Sequence, residues 1–328
     1  MSIYLLLASA GCVLSLALTP IVSRVASALG LLDAPGGRKV HPASVPRTGG
    51  VAVGVAASAA LVSVSLALLG LAESASRLAE VVPIVAGGAI VFAAGLVDDV
   101  RPIAVAPRLA AQTAGALVVM ASGLLIERVT IAGTSWPLGV LAWPLTLVWI
   151  VGVTNAFNLI DGVDGLAAGI TVISGATCAV ILVLRGHEAD AMLLAALVGA
   201  ALGFLAFNFA PASIFLGDGG SLLIGFVLAT TAITGWQKGA TALAAGVPLL
   251  LFALPILDTA SAVVRRAVRQ PDGRPRLRAL LARLVEPDRA HIHHRLLGLG
   301  WSTRRTVLTL YAVTVVLCAM ALATADLD

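Results

Sequence analysis

The sequence predicts an all-α polytopic membrane protein of about ten transmembrane helices, with both termini outside and its polar chemistry at the cytoplasmic face. Three observations carry this. The 328-residue chain is 59% hydrophobic and only 12% charged, with mean hydropathy +1.02, whereas an ordinary soluble domain carries about 25% charged residues. Its apolar residues come in runs of the length that crosses a bilayer, roughly 17–25 residues. Its basic residues are distributed unevenly among the loops between those runs.

The first run, 2–22, lacks a basic leader, and its first basic residue, Arg24, follows it; this is the pattern of a retained helix, not of a signal peptide. Runs at 49–71 and 81–97 come next, the latter short, then 106–126, 138–158, 163–184 and 190–210. A second short run, 219–236, precedes 240–263 and the last, 306–325. Loops after odd-numbered spans hold Arg24, Arg38, Lys39, Arg47, Arg101, Arg108 and eleven arginines between 265 and 305. Loops after even-numbered spans hold Arg77, Arg128, Arg185 and Lys238. Basic residues concentrate in cytoplasmic loops, so the odd loops face the cytoplasm. No internal repeat or soluble domain interrupts the pattern, and residues 1–328 read as one integral membrane domain. Its largest loop, the arginine- and histidine-rich 264–305, has room for one short helical hairpin. Cys12, Cys178 and Cys318 all lie in apolar runs and suggest no disulfide framework.

The unusual polar residues gather in those same five loops: "RKVHPASVPRTGG", "GLVDDVRP", "NAFNLIDGVDGLAAG", "FNFAPASIFLGDGGS" and "PDRAHIHHRLLGLG". Taken singly, each has an ordinary reading. Asp98 and Asp99 could be solvated acids at a helix end beside Arg101. Asp161 and Asp164 each precede a glycine and could be turn residues. Asp218 could be a helix N-cap. Together they form five carboxylates at one membrane face, and carboxylates so gathered need cations. Hard oxygen ligands without cysteine suit Mg²⁺ or Mn²⁺, held through one or two carboxylates plus substrate phosphates. Asn155 and Asn158, about one turn apart, can face inward beside Asp161. "GLAAG" and "GGSLL" begin helices whose free N–H groups and dipoles favour anions. Acids for a metal and helix starts for phosphate describe a diphosphate site at a membrane surface. His41, His291, His293 and His294 lie in the same loops; phosphate or substrate binding beside Arg289 and Arg295 fits them better than zinc, while His187 lies on the outer side.

Five motifs in this order resemble the polyprenyl-phosphate N-acetylhexosamine-1-phosphate transferases, integral membrane enzymes that move a sugar-1-phosphate from a UDP-sugar onto a lipid phosphate and release UMP. The resemblance spans nearly the whole chain. It implies Asp98 and Asp99 as the catalytic acidic pair, with Asp98 the base for the lipid phosphate, and Asp218 as the Mg²⁺ ligand. It implies Asp161 and Asp164 in the nucleotide and sugar-phosphate pocket, where such acids have also been cast as nucleophile or metal ligand. It further implies Asn208 and Phe215 around the uridine, with the phenyl ring stacked on uracil, Lys39 at the diphosphate, and His291, His293 and His294 as the histidine motif. His41, Asn155, Asn158 and Arg295 complete the expected substrate-binding set. "HIHH" and "RKVH…PRTGG" are similar to the branch that starts surface polysaccharides, whose usual donor is UDP-GlcNAc and some members of which use other UDP-HexNAc sugars, rather than the branch that uses UDP-MurNAc-pentapeptide and typically carries three consecutive histidines.

The implied partners are a UDP-N-acetylhexosamine, a polyprenyl phosphate and the bilayer of a bacterial inner membrane, with homodimerisation left open and no nucleic acid. "DDVRP" lacks the later acids of the fuller acidic motif. Asp258, inside span nine, reads as a buried structural hydrogen bond or ion pair. A transporter should instead place polar residues near the midplane in broken helices, and here they sit at one face.

Overall fold

A computed structural model of the chain describes residues 2–33, 44–131, 134–237, 246–268 and 291–325. The helices are α1 (Ser2–Ala28), α2 (Gly49–Val100), α3 (Val105–Ala121), α4 (Ala142–Ile160), α5 (Leu166–Leu184), α6 (Glu188–Asn208), α7 (Gly217–Gln237), α8 (Gly246–Leu251), α9 (Ala253–Val268), α10 (Ile292–Gly298) and α11 (Thr303–Thr324). Among the described residues, seven helices are long and apolar enough to cross a membrane, and Val105–Ala121 is a shorter apolar helix. The protein is therefore a multi-pass helical membrane protein.

The 52 residues of α2 would run about 78 Å if straight, more than twice a hydrocarbon core of about 30 Å. Gly70 reverses them, with φ 75° and ψ 175°, a conformation open in practice only to glycine. The two arms return to one place. A Cβ on Gly50 would fall 2.3 Å from Gly220, and a Cβ on Gly95 would fall 2.7 Å from the Asp218 carbonyl, so both ends of α2 pack on the first turn of α7. The sequence reading of two spans, 49–71 and 81–97, is met by these arms, but the loop expected between them is helical. That stretch, "LAESASRLAE", is rich in good helix formers, and Arg77 ties it to Glu73 (3.8 Å) and to Glu188 at the start of α6 (2.7 Å).

The run 240–263 also departs from a single helix. It breaks between α8 and α9 and continues to Val268, while 240–245 lie outside the described residues. Pro255 has no N–H to give to the carbonyl four residues back, and its ring crowds that carbonyl. The Leu251 carbonyl so released accepts the Ser174 hydroxyl at 2.7 Å, which satisfies it inside the bundle.

The central helix is α7: 78% of its spanning window is buried, against 22% for α1. It packs on α2 and α4, α6 packs on α1 and α5, and α11 closes over α5 and α8. Two small antiparallel hairpins, unanticipated from sequence, complete the fold. β1 (Leu32–Asp33) pairs with β2 (Val45–Pro46), and β3 (Arg128–Ile131) with β4 (Thr134–Pro137). Of the 264–305 segment, the described parts are the end of α9, α10 and the start of α11; the hairpin expected there falls largely on residues outside the description.

Candidate active site

One end of the bundle, where α2, α4 and α6 finish and α5, α7 and α11 begin, encloses a cavity of about 750 Å³, within the usual range for ligand pockets of about 300–1,000 Å³. Its floor is the first turn of α7. Asp99, its side chain 1% exposed, accepts the N–H groups of Asp218 (2.8 Å) and Gly219 (3.0 Å) and so caps that helix. Arg47 donates to Asp99 at 3.2 Å and approaches Asp218 at 3.5 Å. Asp98 accepts the Ile103 N–H (2.7 Å) and holds Arg108 (2.9 Å), which lies 3.9 Å from Asp218. Asp98 and Asp218 thus share Arg108. On the other side, the Asn158 amide donates to Asp218 at 2.6 Å and to Ser221 at 3.0 Å. Asp218 thus faces the cavity, held by one amide and backed by two arginines.

The second wall joins the turn 161–165 to the segment 209–216. Asn208, 2% exposed, accepts the Gly165 N–H (3.1 Å) and donates to the Ile214 carbonyl (3.0 Å). Asp164 accepts the Ala212 N–H at 2.9 Å. The Phe215 backbone is clamped by Pro46 and Gly49 (2.7 and 2.9 Å), which fixes its ring at the rim. The third wall is His294 and Leu297 of α10 with Ser302, Thr303 and Arg304. Arg304 donates to the Ala210 carbonyl at 2.9 Å, in a segment that contains the cis Ala210–Pro211 bond.

Burial raises the Asp161 carboxyl well above the ordinary carboxylate range, and the charges of Asp218, Asp99 and Asp164 push it further. Among the described residues, no group of three or more His, Cys, Asp or Glu could hold a metal by itself. A carboxylate pair facing a cavity fits a cation that draws the rest of its shell from phosphate and water, as Mg²⁺ does. Of the histidines, His291 meets Asp258 through Nδ1 at 2.8 Å. His293 is 1% exposed, and burial first and then His294 hold its imidazole down at about 4.

Of the residues selected from sequence, Asn158, Asp161, Asp164, Asn208, Phe215, Asp218 and His294 line the cavity. Others stand elsewhere. Asp98 lies behind Asp218. Asp99, expected to be catalytic, caps α7 through both oxygens, and both oxygens of Asp98 are likewise engaged, by the Ile103 N–H and Arg108. Asn155, expected to bind substrate, exchanges amide hydrogen bonds with the buried Gln112 and donates to the Val151 carbonyl; its position three residues before Asn158 turns it toward α3 instead of the cavity. His291 and His293 are buried beneath the wall, and Arg295 is exposed and away from it. Lys39 and His41 lie outside the described residues. Arg47, Arg108 and Arg304 were missed as site residues. Their signal was their place inside or beside the acidic and histidine motifs, hidden because basic loop residues also mark topology.

A helical membrane bundle with a carboxylate cavity backed by arginines defines a class, membrane enzymes of phosphoryl transfer, and residues 81–236 match Glycosyl transferase family 4. The chain is 36% identical over 301 residues to the probable undecaprenyl-phosphate N-acetylglucosaminyl 1-phosphate transferase of Bacillus subtilis, covering 91% of this chain and 78% of that protein. It is 37% identical over 310 residues to the decaprenyl-phosphate N-acetylglucosaminephosphotransferase of Mycolicibacterium smegmatis, covering 86% and 72%. A phospho-N-acetylmuramoyl-pentapeptide-transferase of a Synechococcus strain is 38% identical over 189 residues, 57% of this chain and 49% of that one. The chain belongs to the polyprenyl-phosphate N-acetylhexosamine-1-phosphate transferase family.

Proposed function

We propose that the protein transfers N-acetylhexosamine-1-phosphate, specifically GlcNAc-1-phosphate, from a UDP-sugar to undecaprenyl or another polyprenyl phosphate, releasing UMP as the first membrane step of a cell-surface polysaccharide. The carrying observation is Asp218: a cavity-facing carboxylate at a helix start, flanked by Asn158, Arg47 and Arg108. Its carboxylate suits a hard cation, and the N–H groups of residues 218 and 219, expected to be free for phosphate, are taken by Asp99, which leaves phosphate to the arginines. Phosphoryl transfer needs in-line positioning and charge neutralisation more than covalent help. Mg²⁺ (or Mn²⁺) on Asp218, with Asp161 as a second carboxylate, would supply that neutralisation for the donor diphosphate and the leaving UMP. On this reading Phe215 stacks on uracil, and Lys39, His41, His294 and Arg304 meet the donor's phosphates and sugar. Asp98 takes the last proton of the lipid phosphate, and Arg108, which it holds, is the cation that phosphate meets.

The names of the Bacillus and Mycolicibacterium relatives support GlcNAc, and the muramoyl-pentapeptide relative matches over a smaller share of both chains. The expected outcome with purified enzyme, Mg²⁺ and undecaprenyl phosphate is UMP release from UDP-GlcNAc and none from UDP-MurNAc-pentapeptide at equal concentration. Comparable turnover of the muropeptide donor would overturn the branch while leaving the reaction class.

The charge distribution supports ten spans in the inner membrane, both termini outside and the cavity facing the cytoplasm. Ser44 precedes β2 near the cavity and Ser135 is exposed on the far hairpin. A cysteine at Ser135 is expected to react with an impermeant thiol reagent added to intact spheroplasts, and one at Ser44 only after lysis. The opposite pattern would invert the topology.

A further inference from the structure

Asp258 lies in α9, is 6% exposed, and is not among the residues that line the cavity. A carboxylate placed in a membrane helix costs about 2.5–3.5 kcal/mol or more and is retained where it has partners. Both partners here come from the histidine segment: Oδ2 meets His291 Nδ1 at 2.8 Å and Oδ1 accepts the Ile292 N–H at 2.8 Å. The His291 and His293 rings stack, with centroids 5.7 Å apart and planes 5° apart. His293 Nε2 packs on the acid loop, where a Cβ on Gly162 would come within 2.7 Å of it. The next residue, His294, is on the cavity wall.

We propose that Asp258 is a positioning residue for the transfer reaction: it pins His291 and the start of α10, and through the His291–His293 stack it seats the turn 161–165 and presents His294 to the donor. This rests on the transferase reading above. α10 has seven residues, too few to hold its own direction, since isolated helices shorter than about 12–15 residues are marginal. Ile292, Leu296 and Leu297 pack it on the core, but apolar packing tolerates sliding, and the Asp258 bonds set register. The Asp258 contact also holds Nδ1 of His291, so the ring stacked on His293 has one orientation.

The test uses the full chain in detergent with Asp258→Ala, Asp258→Asn, His291→Ala and the Asp258→Ala/His291→Ala double variant. Asp258→Ala is expected to raise the donor KM about 10- to 100-fold, the factor of a hydrogen bond to a charged group. The polyprenyl-phosphate KM should stay within about twofold. Asp258→Asn should recover part of the loss, because its amide oxygen still accepts the Ile292 N–H, and the double variant should lose less than the sum of the two single variants. Hydrogen–deuterium exchange should show 291–298 and 161–165 losing protection together in Asp258→Ala. Parallel rises in both KM values, additive losses, or unchanged exchange at 161–165 would overturn the proposal and leave Asp258 a generic stabiliser. If the parent releases no UMP from any UDP-sugar, the transferase reading fails, and the exchange arm still decides whether Asp258 seats the acid loop.

Discussion

Asp218→Asn is expected to lower turnover by about two orders of magnitude or more, the scale of losing a group that stabilises charge in the transition state. The change is nearly isosteric. The amide oxygen can still accept from Asn158, and α7 keeps its cap, because the N–H groups of residues 218 and 219 are taken by Asp99. What changes is charge. A neutral amide is a poor ligand for a hard cation, and if its NH₂ takes the place of the oxygen 3.5 Å from Arg47 and 3.9 Å from Arg108, donors face donors. The loss should therefore appear in kcat, and the Mg²⁺ concentration for half-maximal UMP release should rise. A variant with the parental Mg²⁺ dependence would remove Asp218 from the metal.

Much of this site could be read in advance, because its acids are local in sequence and anomalous in an apolar chain. Asp161, Asp164 and Asp218 each sit at a junction between two apolar runs, and such junctions at one membrane face are close in space. The misreadings have geometric causes. Adjacent residues on a helix point about 100° apart, so Asp98 and Asp99 meet different partners, and the tertiary fold turns Asp99 to α7. Asn155 and Asn158 are three residues apart and so about 60° off a common line, enough to send one to Gln112 and the other to Asp218. Arg47 and Arg108 carried two meanings at once, topology and site, and charge counting absorbed the second. Asp258 is buried and paired, as expected from sequence; its partners were out of reach, since His291 and Ile292 lie 33 and 34 residues away and no periodicity links them. Likewise the reversal of α2 depends on the single residue Gly70, amid sequence that favours helix on both sides.

The assignment of Asp99 separates two views of the acidic pair. If Asp99 were a chemical base, Asp99→Asn would leave the fold intact and remove turnover. The geometry favours a cap: its buried carboxylate satisfies two N–H groups at the start of α7 and pairs with Arg47. Helix starts leave N–H groups without intrahelical partners, and losing a cap costs about 0.5–2 kcal/mol. Removing one partner of a buried ion pair costs about 3–5 kcal/mol; Arg47 retains 29% exposure and its contact with Asp218, so the lower end applies. Asp99→Ala is thus expected to destabilise the protein by about 3 kcal/mol and to cut turnover as well, because the first turn of α7 carries Asp218. Asp99→Asn should fall between, since its one oxygen can serve one N–H and its NH₂ opposes the other. Thermal unfolding in detergent, run beside UMP release for both variants, separates the two views. A melting temperature equal to the parent's with turnover lost would return Asp99 to the chemistry; melting temperature and turnover falling together, in the order Asn then Ala, would establish it as the support on which Asp218 stands.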